Sequence, residues 1–276
     1  MLKNKLLING LSVSYFLHNK CINAVDNLSL ELKSCESLGI AGESGCGKST
    51  LVSAIMRNIS SPGKITQGSI FLDGIEITKL SDKEFDSKIR WKKISIIFQG
   101  ALNSLDPVYT IKSQIKDIFG IHGQFYDKEK VITILEDVGL EKSVLSKYPH
   151  ELSGGMKQRV VIAIALLLEP DIIIADEPTT ALDVLVQAQI IKVLKKLKEK
   201  GISIILISHD LALISALVDK IGIMYAGKII EFNLTKEIIF SPQNEYTKNL
   251  ISSTPQLGDI YQEKNFKVDD KSSFRF

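Results

Sequence analysis

The sequence predicts an α/β fold: a mostly parallel sheet covered by helices, with an N-terminal antiparallel β subdomain and an inserted α-helical subdomain. Three observations predict it. Leu7 to Tyr15 and Leu28 to Leu32 alternate apolar and polar residues, which is the period of half-buried antiparallel strands. Short apolar runs at Ser37 to Ala41, Ile172 to Ala175 and Ser203 to Ser208 alternate with segments of helical period. Strands that read as continuous apolar runs belong in parallel sheets with both faces covered. Thr110 to Lys147 is helical in pattern, with Ile111, Ile115 and Ile118 spaced for one face and Val131, Ile134, Leu135 and Val138 for another.

In chain order, the apolar run Ser37 to Ala41 enters a glycine-rich loop, Gly42 to Ser49, and Thr50 to Met56 continues as a helix. Asp73-Gly74, between Ser69 to Leu72 and Ile75 to Thr78, is a hairpin signal. After the helical segment, Gly155 to Leu168 predicts a helix and Ile172 to Ala175 a buried strand. Val184 to Lys200 predicts a second helix, with Val186, Ile190, Leu194 and Leu197 along one stripe. Short strands at Ile221 to Tyr225 and Lys228 to Phe232 flank Gly227. The chain beyond Thr254 is polar, charged and without period, so a loosely ordered tail is expected.

A chain of 276 residues with 45% hydrophobic content can bury one large domain, or one domain with a small appendix. Thirty-four basic against thirty-two acidic residues leave a formal charge of +2, which gives no electrostatic case for a nucleic-acid partner. The longest apolar run, Val160 to Leu168, falls well short of the roughly 18 residues of a membrane span. The N-terminal apolar stretch is interrupted by Asn9 and Gly10 and has no signal-peptide core, so a cytoplasmic chain is expected. Cys21, Cys35 and Cys46 are odd in number and show no CxxC spacing, which favours reduced thiols over a disulfide framework or a metal site. Cys46 lies in the glycine loop. It is either a redox-sensitive thiol or a side chain at a position that uses only its backbone.

The loop reads Gly42-Glu43-Ser44-Gly45-Cys46-Gly47-Lys48-Ser49, a single GxxxxGK[ST] motif between a strand and a helix. This defines a P-loop NTPase core. Glycines are needed because backbone N–H groups must turn inward around phosphate oxygens, where a Cβ would block the dihedral angles or the approach. Lys48 offers a charge to the β and γ phosphates and Ser49 a hydroxyl to Mg²⁺, while the helix opening there adds its dipole. Ile172 to Glu177 is a buried strand ending in two carboxylates. Asp176 suits Mg²⁺ coordination through water, and Glu177 can orient or deprotonate the water attacking the γ phosphate. Leu152-Ser153-Gly154-Gly155 is a glycine-rich turn opening a helix, an element able to cap a phosphate from another side.

Together these residues resemble the ATP-binding subunit of an ABC transporter. Leu152 to Gly155 is similar to the signature motif of that family, and Asp176-Glu177-Pro178 to its Walker B segment. The resemblance implies a Q-loop at Gln99 after the strand Ile94 to Phe98, a D-loop at Ala181-Leu182-Asp183 and a switch histidine at His209 after Ser203 to Ser208. It implies ATP and Mg²⁺ as ligands. Gly42 to Thr50 would hold the phosphates, Ser153, Gly154, Gly155 and Asp183 would serve the nucleotide of a paired site, and Ser49, Gln99 and Asp176 would serve the metal. Catalysis would rest on Glu177, His209, Lys48 and Gln99. Tyr15, 27 residues before Gly42, resembles the aromatic that stacks on adenine, with Phe16 as the alternative. The ATPase domain would span residues 1–235, with the helical subdomain at about 105–165, and residues 236–276 would form a short extension.

Gln99 to Ile111, Tyr148 to Arg159 and Pro242-Gln-Asn-Glu-Tyr-Thr-Lys248 are similar to the oligopeptide, dipeptide and nickel importers. That resemblance implies ATP-driven import of a small solute, first peptides and then nickel or an oligosaccharide. The subunit would sit on the cytoplasmic face of the membrane, with two permease subunits and indirectly a solute-binding protein as partners. Met156, where most relatives carry glutamine, implies a heterodimer with a sister ATPase. Gly100 departs from the acid that often follows the Q-loop glutamine. With no cysteine beyond Cys46, no iron–sulfur cluster is expected. A chromosome-maintenance ATPase would need sustained heptads between Thr50 and Leu152, and none occur. A translation factor would carry two phosphate loops, a kinase would lack the signature, and a non-enzymatic module would have lost Lys48 or Glu177.

Overall fold

The computed structural model describes residues 4–18, 20–98, 100, 104–180 and 182–254. The chain opens with strands β1 (Asn4–Leu17), β2 (Lys20–Lys33) and β3 (Ser37–Ala41), then helix α1 (Lys48–Ile55). Strands β4 (Gly63–Leu72) and β5 (Ile75–Glu76), helix α2 (Asp82–Lys88) and strand β6 (Ile94–Ile97) follow. Helices α3 (Ile111–Ile121), α4 (Lys128–Asp137) and α5 (Gly154–Leu166) precede strand β7 (Ile172–Asp176), helix α6 (Val184–Glu199) and strand β8 (Ser203–Ile207). The last elements are α7 (Leu211–Ser215), β9 (Lys220–Tyr225), β10 (Lys228–Leu234), α8 (Thr235–Phe240) and α9 (Glu245–Ser252). The expected tail beyond Thr254 lies outside the described residues.

Most helices begin where the sequence supplies a side chain to receive their first N–H groups. Thr110, Asp127, Ser153, Asp183, Asp210 and Asn244 each accept a backbone N–H at the start of α3, α4, α5, α6, α7 and α9. Ser81 and Glu84 form a reciprocal capping box on α2, a helix the periodicity reading did not contain. The buried face of α3 is Ile111, Ile115 and Phe119; Ile118 is only partly covered, so the stripe follows i, i+4 steps. On α4 the expected Val131, Ile134 and Leu135 are buried.

The residues divide between two compact units. The first comprises residues 4–6, 32–36 and 71–205. Here β6 and β7 pair in parallel, Ile94 opposite Ile172 and Ile97 opposite Ala175. All five residues of β7 are buried, as expected of a strand covered on both faces. Helix α5 packs on β6 and against α4 and α6. It has buried residues on all sides, Val160, Val161, Ile162, Ala163, Ala165 and Leu166 among them, which accounts for the long apolar run as core.

The second unit comprises residues 7–31, 37–70 and 206–254. Strand β3 pairs in parallel with β9, Leu38 opposite Lys220 and Ala41 opposite Ile223. β9 turns back as an antiparallel hairpin into β10, with a register shift between Ile229 and Glu231. Helix α7 packs on β3, and α8 on β10 and β9. β2, β1 and β4 are neighbours in that order in the N-terminal β-sheet. The expected strands Leu7 to Tyr15 and Leu28 to Leu32 are shorter than β1 and β2, which extend into exposed residues where alternation is lost. The expected Ile75 to Thr78 is longer than β5, which gives way to a 3₁₀ turn at Ile77–Lys79. Among the described residues, no helix is long and apolar enough to cross a membrane.

Two aspartates of the first unit tie it together electrostatically. Lys93 Nζ donates to Asp171 at 2.9 Å, Lys5 Nζ lies 3.1 Å from the same oxygen, and Lys5 also donates to Asp73 at 2.8 Å. Asp137 sits between Lys196 and Lys200. Partial burial pushes both the Asp171 and the Asp137 carboxyl up, but the lysine hydrogen bonds and charges outweigh it and hold each below the usual value. A carboxylate depressed in the folded state stabilises above its unfolded pKa of about 4 and loses that contribution as pH falls through the folded value. Urea titrations from neutral to acid pH should therefore show Asp137→Asn flattening the acid loss of stability. An acid limb as steep as that of the unaltered chain would contradict this.

Candidate nucleotide-binding and hydrolysis site

In the second unit β3 ends at Ala41, the chain bends through Gly42 to Gly47, and α1 opens at Lys48. Gly47 has φ +112°, and a Cβ there would lie 2.1 Å from the carbonyl oxygen of Ala24, so no other residue fits without displacing backbone. Because its N-cap is this glycine, α1 has no capping side chain, unlike the seven helices capped by Ser, Thr, Asp or Asn. Its N-terminus is thus chemically suited to an anion. Lys48 is only 7% exposed, and its Nζ donates to the carbonyl oxygens of Gly42 at 2.7 Å and Glu43 at 2.8 Å. A buried ammonium held by neutral carbonyls is a cation chemically suited to phosphate oxygens. Cys46 is buried with its Sγ 3.6 Å from Lys48 Nζ, while Glu43, Ser44, Gly45 and Ser49 are exposed and Thr50 is half-buried.

Ser208 N–H donates to Ile40 O, which aligns the end of β8 with the end of β3. His209 follows as an exposed residue, and Asp210 caps α7 by accepting from Leu213 N–H. Tyr15 is half-buried on β1, its ring close against Gly63, where a Cβ would come within 2.6 Å of Cε1. Phe16 is the exposed aromatic of the pair, with Lys64 Nζ 4.7 Å from its ring centre.

In the first unit Asp176 ends β7, 7% exposed. Glu177 follows in the left-handed region, φ +47°, a conformation that costs a non-glycine residue about 1 kcal/mol and collects at functional sites. Its Oε2 accepts from Thr180 Oγ1 at 2.9 Å. Ser153 caps α5 by accepting from Met156 N–H, so its side chain is committed to the helix start. Gly155 lies directly against α6: a Cβ there would meet Val186 Cγ1 at 2.6 Å, and one on Gly154 would meet Leu182 Cδ2 at 3.5 Å. Asp183 in turn accepts from Val186 N–H at 2.9 Å. Two motifs some thirty residues apart in sequence, at Ser153–Gly155 and Leu182–Asp183, therefore pack as one structural piece, and spacing alone gave no sign of it.

Gln99 and Ala181 lie outside the described residues. Among the described residues no group of three or more His, Cys, Asp or Glu could hold a metal ion. Mg²⁺ bound through phosphates and one or two protein oxygens requires no such cluster, so Ser49 and Asp176 remain chemically suitable. Two contributors were missed from the sequence. Thr180 holds the Glu177 carboxylate, and Tyr246 accepts the Glu43 N–H.

A glycine loop around a buried lysine, and a strand end carrying paired carboxylates, define a phosphate-loop nucleoside triphosphatase. The profile of the ABC transporter family matches residues 25–180, and an AAA-domain profile matches residues 147–215. The chain is 41% identical over 259 residues to the dipeptide transport ATP-binding protein DppD of Bacillus subtilis, an alignment covering 91% of this chain and 77% of DppD. It is 42% identical over 270 residues to the oligopeptide transport ATP-binding protein AmiE of Streptococcus pneumoniae, covering 94% of this chain and 76% of AmiE. Among solved structures, the dimeric post-hydrolysis state of the ATP-binding cassette MJ0796 bound to ADP and Pi superimposes with a TM-score of 0.73. That match has 30% identity and covers 83% of this chain and 98% of MJ0796. The chain belongs to the ABC transporter family as an ATP-binding, ATP-hydrolysing subunit.

Proposed function

We propose that this subunit energises the import of oligo- or dipeptides through a membrane complex. The observation that carries the reading is similarity of about 40% along nearly the whole chain to proteins named for dipeptide and oligopeptide transport. These relatives favour peptides over the nickel and oligosaccharide alternatives. Bacillus subtilis AppD and AppF, both named as oligopeptide transport ATP-binding proteins, are 40% and 42% identical to this chain. Together with Met156 beside the signature, this supports pairing with a different sister ATPase. The dimer of the MJ0796 cassette supports two subunits closing on nucleotide. The further partners are two permeases, which would hold the chain at the cytoplasmic face of the membrane, and through them a solute-binding protein.

In this mechanism the loop Gly42 to Thr50 wraps the phosphates and Lys48 neutralises charge developing on the β and γ phosphate oxygens. Mg²⁺, held by Ser49, Asp176 and Gln99, would supply further charge neutralisation. Glu177, its carboxylate oriented by Thr180, accepts a hydrogen bond from the attacking water and takes its proton as the P–O bond to ADP breaks. His209 donates to the γ phosphate, and Tyr15 or Phe16 packs on adenine. Ser153, Gly154, Gly155 and Asp183 serve the nucleotide bound by the partner. Catalysis of this kind is positioning and charge stabilisation.

The reading is tested on the complex purified with its permeases and reconstituted in lipid. Peptide-loaded solute-binding protein should raise its ATPase rate several-fold above the same protein without peptide. Stimulation by nickel-loaded binding protein alone would overturn the peptide assignment.

A further inference from the structure

The second unit ties its last helix to the phosphate loop. On β10, Glu231 accepts the backbone N–H of Gln243 at 2.8 Å and of Asn244 at 3.2 Å, which fixes the entry into α9. Asn244 then caps that helix by accepting from Tyr246 N–H, and the fully buried Thr247 and Ile251 seat it. So held, the Tyr246 ring tilts against Tyr225 with ring centres 4.6 Å apart, and its hydroxyl oxygen accepts the N–H of Glu43 at 3.3 Å. The β9–β10 turn adds a second tie, Gly227 N–H donating to Cys46 O at 2.9 Å. Both Tyr246 and Gly227 lie outside the segment that matches the ABC family profile.

The N–H of Glu43 and the carbonyl of Gly42 belong to one peptide plane. Tyr246 holds that plane by its N–H edge while Lys48 Nζ donates to its carbonyl edge at 2.7 Å. A planar peptide cannot rotate one edge without the other. We propose that Tyr246 is a positioning residue for nucleotide binding: by fixing the Gly42–Glu43 peptide plane it fixes where the Lys48 ammonium sits, and the C-terminal segment thereby tunes ATP affinity. Burial pushes the Tyr246 phenol up, with the Glu43 hydrogen bond opposing, so the hydroxyl stays protonated across neutral pH. The inference rests on the phosphate loop being the ATP site.

Tyr246→Phe keeps the ring against Tyr225 and removes only the accepting oxygen. In the assembled complex it should raise the KM for ATP about three- to tenfold, the range expected for one hydrogen bond, with kcat unchanged. Calorimetric binding of MgATP to the full chain should weaken by the same factor, while the melting temperature without nucleotide stays where it was. Tyr246→Ala, which also removes the ring, should weaken ATP binding at least as much. Lys48→Ala is the control for the underlying reading: if it binds MgATP normally, the loop is not the ATP site. If Lys48→Ala fails to bind while Tyr246→Phe matches the unaltered chain in KM, the Tyr246 inference alone is wrong. A fall in kcat at constant KM, or a KM change accompanied by lost folding in Tyr246→Phe, would equally overturn it.

Discussion

Glu177→Gln is expected to lower kcat for ATP hydrolysis by about a hundred- to a thousandfold while leaving MgATP affinity within about twofold. Glutamine matches glutamate in size and still accepts the Thr180 hydroxyl, so the left-handed backbone at φ +47° and the side-chain position should persist. What disappears is the carboxylate proposed to take the proton from attacking water. An interaction needed only in the transition state lowers kcat without lifting KM. Single-turnover hydrolysis by the assembled complex, with MgATP binding measured in parallel, decides it. Turnover equal to that of the unaltered enzyme would remove Glu177 from the mechanism.

The second large effect is expected at Lys48. Lys48→Ala removes a nearly buried ammonium and leaves the carbonyls of Gly42 and Glu43 without their donor. Charge-assisted hydrogen bonds contribute about 1.5–3 kcal/mol each, so MgATP affinity should fall at least about tenfold and up to more than a hundredfold. Lys48→Arg should not restore it fully, because a planar fork does not replace a point charge in a cradle shaped for one. Calorimetric titration of the full chain with MgATP is the measurement. Binding within twofold of the unaltered chain would contradict the assignment.

The parts legible in the sequence were those whose chemistry is local. The strand–glycine loop–helix at Ser37 to Ile55 declares itself because backbone N–H groups, a lysine and a helix start must follow one another within a few residues. The same holds for Asp176-Glu177 at a strand end and for the glycine-rich turn Leu152 to Gly155 that opens a helix. Short helices outside the apolar pattern were not legible. The capping box of α2 is present at Ser81 and Glu84, but only Phe85 is buried on that helix, too little for a period to register. On α3 the choice between Ile118 and Phe119 depends on what packs against the helix. Long-range contacts were invisible in principle. Gly155 against Val186, and Tyr246 on the Glu43 N–H across 203 residues, leave no local pattern. Nor does the positive φ of Glu177, which the surrounding fold imposes on a residue type that does not ask for it.

The central claim is that each subunit supplies the phosphate loop of one ATP site and the Ser153–Gly155 turn of the other. It is tested most directly by sedimentation of the Glu177→Gln chain, 30.6 kDa, mixed with the sister ATPase proposed as its partner. The account predicts a two-subunit species with MgATP that reverts to separate subunits with MgADP, and predicts that Gly155→Ala, which forces a Cβ into Val186, weakens that association. Saturating MgATP binding with the subunits remaining apart would contradict it.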